Sequence, residues 1–273
     1  VSFPPRYQYL TPSERMSSTG AGYDLSPTTF SPEGKLFQTE YATKAVENSG
    51  TAIGINCRDG VVLAVEKVLK DKLLKAGSAK RVHTLSNHAG LAMTGLVADG
   101  RQVVNRAREE IQSFKDNYGY DMPPDVLTDR LAQYVHYFTL SGALRPFGCQ
   151  VLLAAHDEEA GRARLHMIEP SGVSYRYFGA AAGKGRQAAK TEIEKLNLET
   201  LTCREALKEV AKIIHTLHDE SKDKPFELEM SWVCEESGNT HSAVPKELIT
   251  EAEEWAKKAI EDAEMDDDSD DDA

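Results

Sequence analysis

The chain has 273 residues and a formal net charge of −12, a length that supports one large domain with a substantial core. Nine of its acids lie in residues 261–273, which hold no Lys or Arg, so residues 1–260 carry only −3. A nearly neutral body lacks the clustered basic charge of a nucleic-acid face, and no apolar run reaches membrane-spanning length or reads as a secretory signal. The four cysteines, Cys57, Cys149, Cys203 and Cys234, are scattered without a Cys-x-x-Cys pair, which reads as reduced thiols of the cytoplasm or nucleus.

Residues 1–15 hold three prolines and two tyrosines with no helical or strand period, and Met16 follows them. The expectation is a natural start at Met16, with 1–15 an upstream translation or a disordered extension. Residues 16–30 read as a tail in which Gly20 and Gly22 supply backbone freedom. A helix is predicted over 31–49. Ser31 is its N-cap, Pro32 its first helical residue and Glu33 a favourable charge at the positive end of the dipole. Phe37, Tyr41 and Ala45 recur four apart, a narrow apolar stripe on a helix otherwise carrying Lys35, Gln38, Glu40, Lys44 and Glu47. Asn48 and Gly50 suit its stop. A helix this short is marginal alone in water, so packing or a partner must hold it.

Apolar runs 51–57 and 61–66 flank Arg58-Asp59-Gly60, a hairpin signal, and a second strand pair is predicted at 81–85 and 90–94. Residues 61–65 are apolar at every position, which predicts a strand covered on both faces. Helices at 99–117 and 125–140, split by Met122-Pro123-Pro124, form an antiparallel pair. Strands at 149–156, 164–168 and 174–178 follow, then helices at 185–196 and 203–219, a strand at 226–235 and a helix at 245–262. This order predicts an α+β fold in which 31–262 form one domain, a four-layer αββα sandwich of two stacked antiparallel sheets with helices on both outer faces. Residues 263–273 repel one another and bury nothing, so disorder is expected there; Ser269 among the acids offers a phosphosite to an acid-directed kinase, or the tail simply solubilises.

Candidate chemistry is sparse. The loop 179–185 has glycines near Lys184, but only three residues separate Gly179 from Gly183, and Gly185 follows the lysine where a phosphate loop needs Ser or Thr; a small-residue turn into the next helix is expected. His215 and His218 share a helix face without a third ligand, so no metal and no cofactor is expected.

Tyr23-Asp24, the Phe30-Ser-Pro-Glu-Gly34 entry and Leu36-Phe-Gln-Thr-Glu-Tyr-Ala42 together resemble the N-terminal signature of proteasome alpha subunits. Arg145-Pro-Phe-Gly148, Glu169-Pro-Ser-Gly172 and the strand from Phe226 extend the resemblance over about 22–260. Leu25 departs from the arginine most alpha subunits carry after Tyr-Asp; with Lys184-Gly-Arg-Gln-Ala-Ala-Lys it is similar to one branch of the family. The resemblance implies an N-terminal nucleophile hydrolase-like sandwich without proteolytic activity, set in a seven-membered ring of alpha subunits that caps the beta ring of the core particle. It implies that the N-terminal tail gates substrate entry and that Tyr23, Asp24, Pro32 and Tyr41 form the cluster ordering it. Arg81, with Lys80 beside it, matches the basic position that receives the C-terminal carboxylate of an activator tail. The competing reading is a catalytic beta-type threonine protease released by cleavage at Gly50-Thr51, whose free amine would serve as its base. A helix ahead of Thr51 and Glu66-Lys67 in place of an aspartate and a small residue count against it. A free-standing binding protein with a related sandwich is the third reading.

Overall fold

A computed structural model describes residues 22–69, 71, 73–75, 77–218 and 224–270, with side chains as far as 262 in the last helix. The first half contains α1 (Phe37–Glu47), β1 (Ala52–Asn56), β2 (Gly60–Val68), β3 (Val82–Thr84), β4 (Ala89–Gly95), α2 (Val97–Tyr118) and α3 (Pro124–Tyr137). The second contains β5 (Cys149–Asp157), β6 (Arg162–Ile168), β7 (Ser174–Tyr177), β8 (Gly179–Ala182), α4 (Arg186–Glu194), α5 (Cys203–Leu217), β9 (Phe226–Cys234), β10 (His241–Ala243) and α6 (Lys246–Asp270).

Two antiparallel five-stranded sheets result, in the orders β10-β9-β2-β1-β8 and β3-β4-β5-β6-β7. Helices α4, α5 and α6 cover the first sheet and α2 and α3 the second, giving the expected four layers. The alternation along β2 explains its unbroken apolar run: Val62 and Ala64 face the helices, while Val61, Leu63 and Val65 face the other sheet. Strand β5 does the same with Val151, Leu153 and Ala155 outward and Leu152 and Ala154 inward. Each such large side chain, taken fully out of water, contributes about 1.5–3 kcal/mol. Between the sheets Gly54 leaves room for Leu165: a Cβ on it would lie 2.8 Å from a Leu165 methyl.

Several expectations need correction. Ser31 does not cap α1. Residues 31–34 instead form a β-turn, with the Gly34 N–H donating to the Ser31 carbonyl at 2.9 Å and Gly34 at φ +79°. Ser at the first position, Pro at the second and Gly at the fourth is a type I turn signature, and it outcompetes the cap. The helix therefore starts at Phe37, after Leu36, with no side-chain cap. Its fully buried residues are Ala42 and Val46, one position round from the expected stripe; Phe37, Tyr41 and Ala45 flank them half-buried. The 179–185 loop is partly strand: β8 pairs with β1, Gly179 opposite Ile55 and Ala182 opposite Ala52. The short β10 is a further strand beyond those expected. Finally, α6 runs on to Asp270, into the stretch expected to be disordered; no Gly or Pro between 246 and 270 interrupts it.

Candidate functional site

The N-terminal segment folds back onto α1. The Tyr41 hydroxyl donates to Asp24 Oδ2 at 3.2 Å, and Gln38 Nε2 donates to the Asp24 carbonyl, so two residues one turn apart on the helix grip one residue of the tail. Desolvation first, then the Asp24 charge, raises the Tyr41 phenol above its ordinary range, which keeps it a donor. Phe37 stacks beside Tyr41 at 6.2 Å and Lys44 lies 5.9 Å over its ring. Of the four expected cluster residues, Asp24 and Tyr41 are joined by this bond, whereas Tyr23 and Pro32 are exposed. Leu25 is 87% exposed, so its apolar side chain is left over by the packing of the tail on α1.

Helix α1 leads into the Gly50-Thr51 junction, where the main chain is held from several sides. The Thr51 N–H donates to Glu66 Oε2 at 2.9 Å, and the Thr51 hydroxyl accepts from the Gly185 N–H at 3.1 Å. Thr94 donates to the Gly50 carbonyl at 2.6 Å, and the Lys184 N–H to the Ser49 carbonyl at 2.9 Å. Gly183 sits at φ +95°, and a Cβ on it would lie 2.4 Å from the Gly50 oxygen, so this position admits glycine alone. The amides of Lys184, Gly185 and Arg186 are thus spent on the chain itself rather than aimed at a phosphate. Thr51 has a peptide amide where a self-activated threonine needs a free amine.

Glu66 is buried and also meets His218 Nδ1 at 2.9 Å, while the buried Lys67 ammonium pairs with Glu227 at 2.7 Å. His215 and His218 both lie against Phe226, at 5.1 and 4.5 Å, but turn to different acids, His215 being 3.6 Å from Glu253. They are not a shared metal pair. Among the described residues no group of three or more His, Cys, Asp or Glu could hold a metal, and no helix is long and apolar enough to cross a membrane.

Arg81, just ahead of β3, is half-buried: its main-chain N–H donates to Glu229 Oε2 at 2.8 Å and its Nη1 to the Gly95 carbonyl at 2.7 Å. Burial lowers its pKa, with Glu229 acting against that shift. Lys80 is exposed. Among the described residues only one of the five guanidinium donors of Arg81 is engaged, which leaves the others for an anion. Gly95, at φ +104°, passes so close to Gly148 that a Cβ would lie 2.3 Å from its oxygen, and the Leu96 N–H donates to that same oxygen at 2.8 Å. The Gly148 N–H donates to Asp99 Oδ2 at 2.8 Å, and Arg145 holds both Asp99 oxygens at 2.6 and 2.8 Å. The Arg145 hydrogen bonds hold the Asp99 carboxyl below its ordinary range, against the opposing effect of burial. The Arg145-Pro-Phe-Gly148 element is therefore a clamp that ties β5 to the start of α2 beside Arg81. Neither the Asp99 pairing nor the Glu66 pairing is legible in the sequence, because the partners lie 46 and 152 residues away.

Ser269 lies in the last turn of α6, and its side chain is outside the described ones, as are residues 1–21 and 271–273.

Comparison with known proteins agrees with this architecture. The family model "Proteasome subunit" matches residues 46–233, and the model for the N-terminal signature of A-type proteasome subunits matches residues 23–45. The chain is 58% identical over 251 residues to the alpha type-3 proteasome subunit of Arabidopsis thaliana, covering 92% of this chain and all of that protein. It is 48% identical over 249 residues to the probable alpha type-7 proteasome subunit of Saccharomyces cerevisiae, covering 90% and 86%. With the alpha type-3 proteasome subunit of Drosophila melanogaster it shares 46% over 255 residues, 93% and 98% of the two chains. The chain belongs to the proteasome subunit family and carries the A-type N-terminal signature.

Proposed function

We propose that this chain is a non-catalytic alpha-ring subunit of the proteasome core particle, which scaffolds the ring and gates the entry of proteins to be degraded, in ubiquitin-dependent and ubiquitin-independent routes alike. The observation that carries the reading is the Gly50-Thr51 peptide. Its N–H is bonded to Glu66, its carbonyl to Thr94, and the A-type signature of residues 23–45 folds ahead of it as α1 and the tail it grips, which supports a chain that keeps this bond. Its neighbours are other alpha subunits in a seven-membered ring, with the beta ring on one side and activator C-terminal tails on the other; it works in the cytoplasm and nucleus.

The gate is the tail of residues 16–30. Tyr23, Asp24, Pro32 and Tyr41 are the cluster that orders it; the Tyr41 hydroxyl bonds to Asp24, and Tyr23 and Pro32 are exposed. Arg81, with Lys80 nearby, receives the activator's terminal carboxylate; its guanidinium is positioned by the Gly95 carbonyl, which a point charge on a loose lysine stem would not ensure. Ser269 is a phosphorylation site in acidic surroundings. The Arg81→Glu variant is expected to assemble normally, as read by native mass, and to bind an activator roughly tenfold more weakly or worse, the equivalent of one charge-assisted hydrogen bond. Unchanged activator affinity would refute the assignment of Arg81.

A further inference from the structure

A groove of about 570 Å³ opens at the end of the molecule away from Arg81. Arg81 is held at the Gly95 end of β4, whereas the groove lies beside His88 at the Ala89 end, seven residues and roughly 20 Å along the strand. Three loops wall it: the β5–β6 turn, the loop between α2 and α3, and the turn between β9 and β10. All three are fastened to Asn87 and His88. The His156 N–H donates to the His88 carbonyl at 2.8 Å, His88 Nε2 donates to the Met122 carbonyl at 3.0 Å, and the His241 N–H donates to the Asn87 carbonyl at 2.6 Å. The groove is therefore built into the fold rather than left between loose loops.

One wall is aromatic. Gly119, at φ +78°, stops α2, and the tyrosines on either side of it are left in the open, Tyr118 at 60% and Tyr120 at 54% exposure. Their rings are fixed all the same: the Phe114 ring centroid lies 4.5 Å from that of Tyr118 and 5.2 Å from that of Tyr120. The other wall is acidic. Asp121, Asp157, Glu158 and Glu159 line the groove, and among the described residues no Lys or Arg does. Lys115 pairs with Asp121 at 2.8 Å and Arg164 with Asp157 at 2.6 Å from outside the lining. Glu158 and Glu159, exposed in the β5–β6 turn, have no ion-pair or hydrogen-bond partner among the described residues.

We infer that this groove seats a cationic side chain, a lysine or arginine projecting from an adjoining subunit of the assembled particle; the inference rests on the subunit reading above. Such a side chain has an apolar stem and a charged head. The stem lies on Tyr120 and Pro123, the cation faces the tyrosine ring, and the head reaches Glu158 and Glu159. Rigid tyrosines supply contact area at little entropic cost, and the unpaired carboxylates select the sign of the partner. The C-terminal stretch 261–273 of this chain, with nine acids and no Lys or Arg, has the wrong sign to fill the groove itself.

The test couples glycine ethyl ester to carboxyl groups with a carbodiimide, in the free full-length chain and in the purified particle, and reads each site by peptide mass. Glu158 and Glu159 are expected to be labelled several-fold less in the particle. The double variants Glu158→Lys with Glu159→Lys and Glu158→Gln with Glu159→Gln then compete with the wild type for incorporation. Both fall on exposed, unpaired side chains and are expected to fold, as equal melting temperatures verify. The lysine pair should enter the particle several-fold less well than the glutamine pair. Equal labelling of the two acids in chain and particle would overturn the inference, and so would equal incorporation of the two variants. Either result leaves the subunit reading standing as long as native mass finds the wild-type chain in the particle; its absence from any particle would overturn that reading instead.

Discussion

Asp99 shows how much one side chain organises. It is buried at the N-terminus of α2, accepts two hydrogen bonds from Arg145 and a third from the Gly148 amide, and so seats the loop that passes under Gly95 and Arg81. Asp99→Asn removes a bidentate charge-assisted pair and is expected to cost about 2 kcal/mol at neutral pH. Because the native carboxyl titrates below its unfolded value, its contribution is complete above the ordinary carboxylate range and fades as pH falls through the depressed native value. The melting-temperature gap between wild type and variant should therefore be widest near pH 7 and close in strong acid; a gap independent of pH would contradict this role. His241 behaves as a second pH-dependent residue. Its Nδ1 meets the Thr84 hydroxyl at 2.9 Å and its Nε2 the Ser231 hydroxyl at 3.0 Å, so one ring bridges the two sheets through neutral partners. Burial pushes its pKa down from 6.5 to about 4. The unfolded chain takes up a proton below about 6.5 that the native chain refuses until about 4, so stability is lost as pH falls across that window, by roughly 3 kcal/mol at most. The slope of melting temperature between pH 7 and 4 should flatten in His241→Gln; an unchanged slope would show that other groups set it.

At the scale of elements, glycines separate two kinds of constraint. Gly34 has φ +79° with open space around it, so Gly34→Ala should cost about 1 kcal/mol of backbone strain alone. Gly183 has φ +95° and the Gly50 oxygen in the way, so Gly183→Ala adds a clash to the strain and should cost about 2 kcal/mol or more. Melting temperatures should rank Gly34→Ala above Gly183→Ala, and the reverse order would mean that the junction at Gly50 is loose. The elements legible in the sequence are those with long periodic patterns. The doubly covered β2, the α2 and α3 pair around Pro123 and Pro124, and α5 all stand where the pattern puts them. Strands β8 and β10, of four and three residues, are too short to show a period, and Ala180 to Ala182 carry no β-branched signal. The start of α1 is misread from sequence because Ser-Pro-x-Gly serves a turn as well as a cap, and only the Ser31 pairing with Lys35 decides between them.

Across the whole molecule, the two sheets and their helices form a sandwich, with α1 packed against β4 and β5 and the tail from residue 22 bonded to α1. Asp24 and Tyr41 are legible through the family signature and meet in the structure; the Glu66 to His218 pair behind them is invisible in the sequence, since no local pattern links residues brought together only by the packing of α5 on β2. The functional account stands on the continuity of residues 22–51, from the gripped tail through α1 to a threonine amide bound by Glu66. Its most direct test is native mass spectrometry of the assembled particle, with the mass of this chain read after its release. The account predicts a seven-membered mixed ring in which the chain still carries α1 and an intact Gly50-Thr51 bond. A mature chain that begins at Thr51 would contradict it.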